Sequence, residues 1–185
     1  ATQAGVNLWI GNNPDSDGSS AIVPGTRAGW WEGYWDARNL ADAAAGQTLA
    51  PGDVSAHYMS RASDWIAEDP GAFLAHLWTK TRLFLSNREL GNNLEPTFFA
   101  SHYDPLVLTW LLPFGALLGF GLVVAFLGRK RFGEQLPLFV FVPLYGAGVI
   151  AFFVCSRFRL PIWPVMAVFA AHGLVLGVCA LKARQ

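Results

Sequence analysis

The stretch that decides the fold reads LPLFVFVPLYGAGVIAFFVC (136–155), SRFR (156–159) and LPIWPVMAVFAAHGLVLGVCA (160–180). Two apolar runs without Asp, Glu, Lys or Arg are separated by a turn holding two arginines. A third such run, LVLTWLLPFGALLGFGLVVAFL (106–127), precedes them. A hydrocarbon core of about 30 Å takes roughly 20 apolar residues in helical form, so each run is long enough to span it. None carries the polar stripe of a helix on a soluble core. The sequence therefore predicts a mainly α, integral-membrane chain with three C-terminal transmembrane helices over about 106–127, 136–155 and 160–180.

Working outward, the loops fix an expected orientation. Gly128–Gln135 carries Arg129, Lys130 and Arg131, and the tail carries Lys182 and Arg184, against Arg157 and Arg159 in the remaining turn. The excess of bases places the first loop and the C-terminus in the cytoplasm. Residues 1–105 are then expected in the periplasm, above a bacterial inner membrane crossed several times. Their chemistry differs from the rest: twelve acids and six bases up to Pro105, one acid and seven bases beyond it. The whole chain balances 13 Lys+Arg against 13 Asp+Glu. That balance excludes a basic nucleic-acid binder, and 53% hydrophobic residues exclude a disordered chain. Cys155 and Cys179 frame no disulfide scaffold, and no Cys/His cluster has zinc spacing, so the residues identify no metal site and no cofactor, and a divalent metal in the parent protein stays open. Ala1-Thr2-Gln3-Ala4-Gly5 is not the start of a signal peptide. An exported domain needs a hydrophobic helix before it, so the chain is expected to be the C-terminal piece of a larger multi-spanning protein. Missing N-terminal transmembrane helices would then be its first partners, together with membrane lipids.

The segment 1–105 reads as a small external helical domain. Residues 5–27, rich in Gly, Asn, Pro, Asp and Ser, are expected to form a loop with turns. Asn13-Pro14-Asp15-Ser16-Asp17-Gly18 imitates the start of a calcium loop, but Pro24 stands where the closing glutamate belongs, so Asx turns are the better reading. One helix is predicted over Trp35–Ala45, closed by Gly46. A second begins near Pro51 or Asp53, with Val54, Tyr58, Ala62, Trp65 and Ile66 in an apolar stripe. Asp69-Pro70 reads as cap and first residue of a third, which ends before Asn87. Its apolar positions are Phe73, Leu74, Leu77, Trp78, Thr81, Phe84 and Leu85, with Lys80 and Arg82 between them and expected in solvent. Tryptophans at 9, 30, 31, 35, 65 and 78 suit either the membrane interface or a small core.

Candidate chemistry is sparse. His57, His76 and His102 are scattered, and His172 inside the third run reads as an interhelical hydrogen-bonding group. Gly115 and Gly119, then Gly173 and Gly177, have the four-residue spacing of close helix packing. The informative turn is Ser156-Arg157-Phe158-Arg159-Leu160-Pro161. Proline disfavours helical geometry at the residue before it and suits the first helical position after it. In an extended tether, Arg157 and Arg159 face the same way. Beside the positive end of the following helix, they would form a site for a lipid-borne phosphate. Interfacial arginines on lipid headgroups are the alternative.

The segments Gly5-Val6-Asn7-Leu8-Trp9-Ile10-Gly11-Asn12-Asn13-Pro14 and Pro24-Gly25 resemble bacterial membrane glycosyltransferases related to the dolichyl-phosphate-mannose protein mannosyltransferases. Val54-Ser55, Trp65-Ile66, Asp69-Pro70, Asn92-Asn93 and Arg157-Phe158-Arg159-Leu160-Pro161 add to the resemblance. The likeness implies the GT-C architecture and transfer of a sugar from a polyprenyl-phosphate donor to a lipid, glycan or protein acceptor. It implies a catalytic acid in an earlier external loop, to which no position here corresponds. It carries over only Arg157 and Arg159, as contacts to the donor phosphate. A non-enzymatic assembly or anchoring subunit, with an external domain that binds a partner, is the competing reading.

Overall fold

The computed structural model describes residues 3–87, 90–91, 98, 101–102, 114–115, 117–119, 121 and 132–182. In chain order its bounded elements are α1 (Ala4–Gly11), α2 (Trp30–Ala45), α3 (Pro51–Glu68), α4 (Pro70–Leu85), α5 (Phe132–Ala151), a 3₁₀ helix (Ser156–Ile162) and α6 (Trp163–Lys182). The chain divides into two compact units. The first is Ala1–Leu83 with Gly148–Val154, and the second is Phe84–Ala147 with Cys155–Gln185. These units are not the acidic and basic halves that a cut at Pro105 gives.

The membrane architecture expected from the sequence is corrected here. Among the described residues no helix is long and apolar enough to cross a membrane. Each of the two described helices holds only part of its apolar run. Of the run 136–155, α5 holds only residues 136–151, which rise about 24 Å. Phe152–Cys155 has left the helix, and α5 begins instead through Glu134 and Gln135. The run 160–180 opens in 3₁₀ geometry, so α6 takes residues 163–180 of it, about 27 Å. Both fall short of the roughly 30 Å of a hydrocarbon core. Most of the run 106–127 lies outside the described residues. The multi-pass inner-membrane localisation, with residues 1–105 periplasmic and the C-terminus cytoplasmic, rested on those three spans and is corrected with them.

In the first unit α3 is central. Val54, Tyr58 and Ala62 are buried at helical spacing, as the stripe predicts. The Tyr58 hydroxyl donates to the Ala37 carbonyl of α2 at 2.8 Å, where Ala37 and Ala41 give the room. Burial pushes the Tyr58 phenol above its ordinary pKa. Helix α1 crosses the other side of α3 at Gly5, whose amide donates to Ser55 Oγ at 3.0 Å. A Cβ at Gly5 would collide with the Ser55 carbonyl and lie 2.8 Å from the Met59 amide, so only glycine permits this approach. The expected loop over residues 5–27 is thus a helix up to Gly11, because its glycines serve contact rather than turning. After Gly11 the loop reading holds. Asp17 accepts from the Ser19 and Ser20 amides at 2.8 and 2.7 Å, and from Ser20 Oγ. Burial works against the Asp17 charge, but those donors outweigh it and leave the carboxyl lowered.

Helix boundaries follow local chemistry. Gly46 ends α2 in left-handed geometry at φ 68°, with the Gly46 and Gln47 amides on the carbonyls of Ala43 and Asp42. Pro51 opens α3. Asp69 ends α3 and caps α4, accepting from the Ala72 amide at 2.9 Å. Val154 returns to this unit and donates to the Gly18 carbonyl at 2.8 Å.

The second unit is held by aromatic and apolar packing. Phe84 meets Phe114 edge to face at 5.8 Å, Phe114 meets Trp163 at 6.2 Å, and Phe139 meets Phe169 at 5.0 Å. Ser156 and Leu90 exchange two hydrogen bonds of 2.7 and 3.0 Å. A Cβ on Gly115 would meet Asn87 and Leu85, whereas one on Gly119 would meet none of the described residues within 4 Å.

Candidate functional site

Four residues of α3, Arg61, Asp64, Trp65 and Glu68, follow the i, i+3, i+4, i+7 pattern of one helix face. With Trp9 from α1 and Pro14 they line a cleft of about 300 Å³. The Arg61 guanidinium lies 4.4 Å over the Trp9 ring, a cation–π contact that covers one indole face. Trp65 is packed by His76 at 5.1 Å and by Phe73 at 6.5 Å, which fixes its plane. Burial lowers the His76 pKa, and the Lys80 charge lowers it further, so the fold favours the neutral imidazole. The Ser60 hydroxyl donates to Asp64 at 3.2 Å. The cleft therefore joins two flat indoles to two carboxylates and a guanidinium.

A buried polar hub holds the α1 side of this cleft. Lys80 is 0% exposed, and its ammonium donates to the Gly11 carbonyl at 3.1 Å, Asn12 Oδ1 at 2.9 Å and the Phe152 carbonyl at 3.1 Å. Three donors meet three acceptors, so the ammonium is fully used. No salt bridge to Lys80 is formed among the described residues. Desolvation lowers its pKa to about 8. Asn12 Nδ2 donates to the carbonyls of Leu8 and Ala151, both at 2.9 Å. Asn13 Nδ2 donates to the carbonyls of Trp9 and Ile10, and Asn13 Oδ1 accepts from the Asp15 amide. The last carbonyls of α1 are thereby satisfied by side chains, which locks Trp9 and the turn leading to Pro14. Sequence reasoning placed Lys80 in solvent and read Asn12 and Asn13 as motif and turn residues. The available signal was register: Lys80 lies in line with Phe73, Leu77 and Phe84 on α4.

Arg157 and Arg159, expected side by side, are separated. Their segment is 3₁₀ rather than extended. With three residues per turn, side chains two apart diverge. Arg157 is exposed and lies 5.2 Å over the Phe158 ring. Arg159 is 1% exposed, donates to the Ser86 carbonyl at 3.0 Å and lies 5.2 Å over the Phe114 ring. The turn thus offers one open guanidinium, with the other built into the second unit. The amide of Trp163, at the start of α6, is taken by the Leu160 carbonyl.

The histidines are not brought together. His57 and His76 are half-buried, His172 is half-buried on α6, and His102 stacks on Phe98 at 4.1 Å. Among the described residues no group of three His, Cys, Asp or Glu could hold a metal ion. The calcium-like stretch uses its Asp17 oxygens on the Ser19 and Ser20 donors. No known protein family, curated protein or solved structure matches the chain.

Proposed function

We propose that this chain recognises a sugar and works within a glycosyltransferase that uses a polyprenyl-phosphate-linked donor. The observation that carries the reading is the cleft of Trp9, Arg61, Asp64, Trp65 and Glu68. A pyranose ring has an apolar face of C–H groups and a rim of hydroxyls. A fixed indole meets the face, carboxylates accept from the hydroxyls, and a guanidinium donates to ring or hydroxyl oxygens. At about 300 Å³ the cleft lies at the small end of ligand sites and suits one sugar ring. Its residues bind and orient; none is assigned a bond-breaking role. Donor-phosphate contact falls to Arg157, the exposed member of its pair, while Arg159 positions the turn that carries it. A cation there favours the negative charge that develops on the leaving phosphate.

The test is saturation-transfer NMR on the whole chain with the methyl glycosides of glucose, mannose, galactose and N-acetylglucosamine. At least one should receive saturation, and Trp65→Ala or the pair Asp64→Asn with Glu68→Gln should abolish it. If no glycoside is saturated, or the variants bind as well as the parent, the reading fails.

A further inference from the structure

The first two turns of α2 carry Trp30, Trp31, Tyr34 and Trp35, exposed to 70%, 66%, 37% and 49%. At 100° per residue these four positions fall within an arc of about 140°. They form a convex aromatic ridge, with Tyr34 and Trp35 set edge to face at 5.3 Å. Every ring in it has an apolar body and one polar edge, an indole N–H or a phenol O–H. Both neighbouring arginines are paired with carboxylates. Arg27 is bound to Asp36 through two contacts of 2.8 Å, which hold the Asp36 carboxyl down at about 2. Arg38 lies 3.9 Å from Asp42 and 5.7 Å from the Trp35 ring. The Glu32 carboxylate folds back on Gly29, at the positive end of the helix.

We propose that this ridge is a docking surface for the headgroup layer of a lipid bilayer, entered by the rings without any helix crossing the membrane. Amphipathic rings settle at that layer because it meets both their apolar faces and their polar edges. The local charge selects the chemistry: Arg27 and Arg38 stand against Glu32, Asp36 and Asp42, two bases to three acids, so no positive field draws an anionic surface. The matching surface is electrically neutral, that of a zwitterionic phospholipid. The proposal is independent of the sugar cleft.

The experiment is flotation of the whole chain with phosphatidylcholine vesicles, repeated with one fifth phosphatidylglycerol. The parent should float with both, with partition coefficients within twofold of each other. The variant Trp30→Ala, Trp31→Ala, Trp35→Ala should lose at least tenfold in partition at an unchanged melting temperature, because the removed rings are exposed. A second variant, Trp78→Ala, removes an exposed indole on α4 and should leave partition within twofold. Absence of flotation, equal flotation of the triple variant, or a requirement for the anionic lipid overturns the proposal. So does sedimentation showing that the triple variant abolishes self-association in the absence of vesicles, since the ridge would then be a contact between copies.

Discussion

Replacing Lys80 by methionine keeps the stem that packs against Gly18 and removes the ammonium from its three oxygens. Hydrogen bonds to a charged group contribute about 1.5–3 kcal/mol each, so roughly 5–9 kcal/mol of favourable interaction is lost at the hub. Against this stands the burial of the charge. A pKa lowered from 10.5 to about 8 corresponds to about 3 kcal/mol held against the charged form in the fold. Setting the two against each other gives Lys80→Met a net destabilisation of about 2–6 kcal/mol at pH 7. Urea denaturation should show it as a lower midpoint with an unchanged slope. A pH series separates the two contributions. Between about pH 8 and 10 the unfolded chain still binds the Lys80 proton that the folded chain has released, so stability of the parent should rise. Above pH 10 the raised pKa of Tyr58 opposes the trend, because the unfolded phenol ionises first. The Lys80→Met variant should lack the rise between pH 8 and 10. A variant as stable as the parent at pH 7, or more stable, would refute the hub as a net stabilising element. It would place Lys80 with buried charges that apolar residues replace at no loss.

Two further substitutions probe the frame around the cleft. Gly5→Ala should cost about 1–3 kcal/mol or more in chemical denaturation, since its methyl group meets the α3 backbone at Ser55 and Met59; a cost below about 0.5 kcal/mol would mean that α1 does not cross α3 there. Asp69→Ala should cost about 1 kcal/mol by removing the acceptor of the Ala72 amide, with Asp69→Asn recovering most of it, and a thermal melt reads both.

Where local chemistry decides, the sequence was readable. The Gly46 terminus of α2, the proline start of α3, its Val54–Tyr58–Ala62 stripe and the Asp69 cap of α4 all stand as local signals predict. It misled where a residue type serves a tertiary purpose. Gly5 and Gly11 read as loop residues, yet they sit in a helix that must approach other backbone at Ser55 and Phe152. Lys80 reads as solvated from its charge, and the oxygens that hold it come from positions 11, 12 and 152, distant in sequence. The Arg157–Arg159 pair depended on an extended backbone, and the 3₁₀ turn through Pro161 removes it. Hydropathy alone located the apolar runs and overstated their helices, because it does not register where backbone geometry changes within a run. Of the cleft, Trp9, Pro14 and Trp65 stand out in the sequence through the family resemblance, and Trp65 also in a packing stripe, but none as part of a binding site. Asp64 and Glu68 joined it through fold and spacing together.

The recruitment of Gly148–Val154 into the first unit has a consequence for the order of events during synthesis. Lys80 and Asn12 complete their bonding on the carbonyls of Phe152 and Ala151, which leave the ribosome some seventy residues after Lys80. At about 5–20 residues per second, the nascent amino-terminal unit waits several seconds with a charged amine short of one oxygen. A ribosome that stalls before residue 148 would release a product in which α1, α2 and α3 are present but their closing strap is not. Such a product is a natural substrate for quality control.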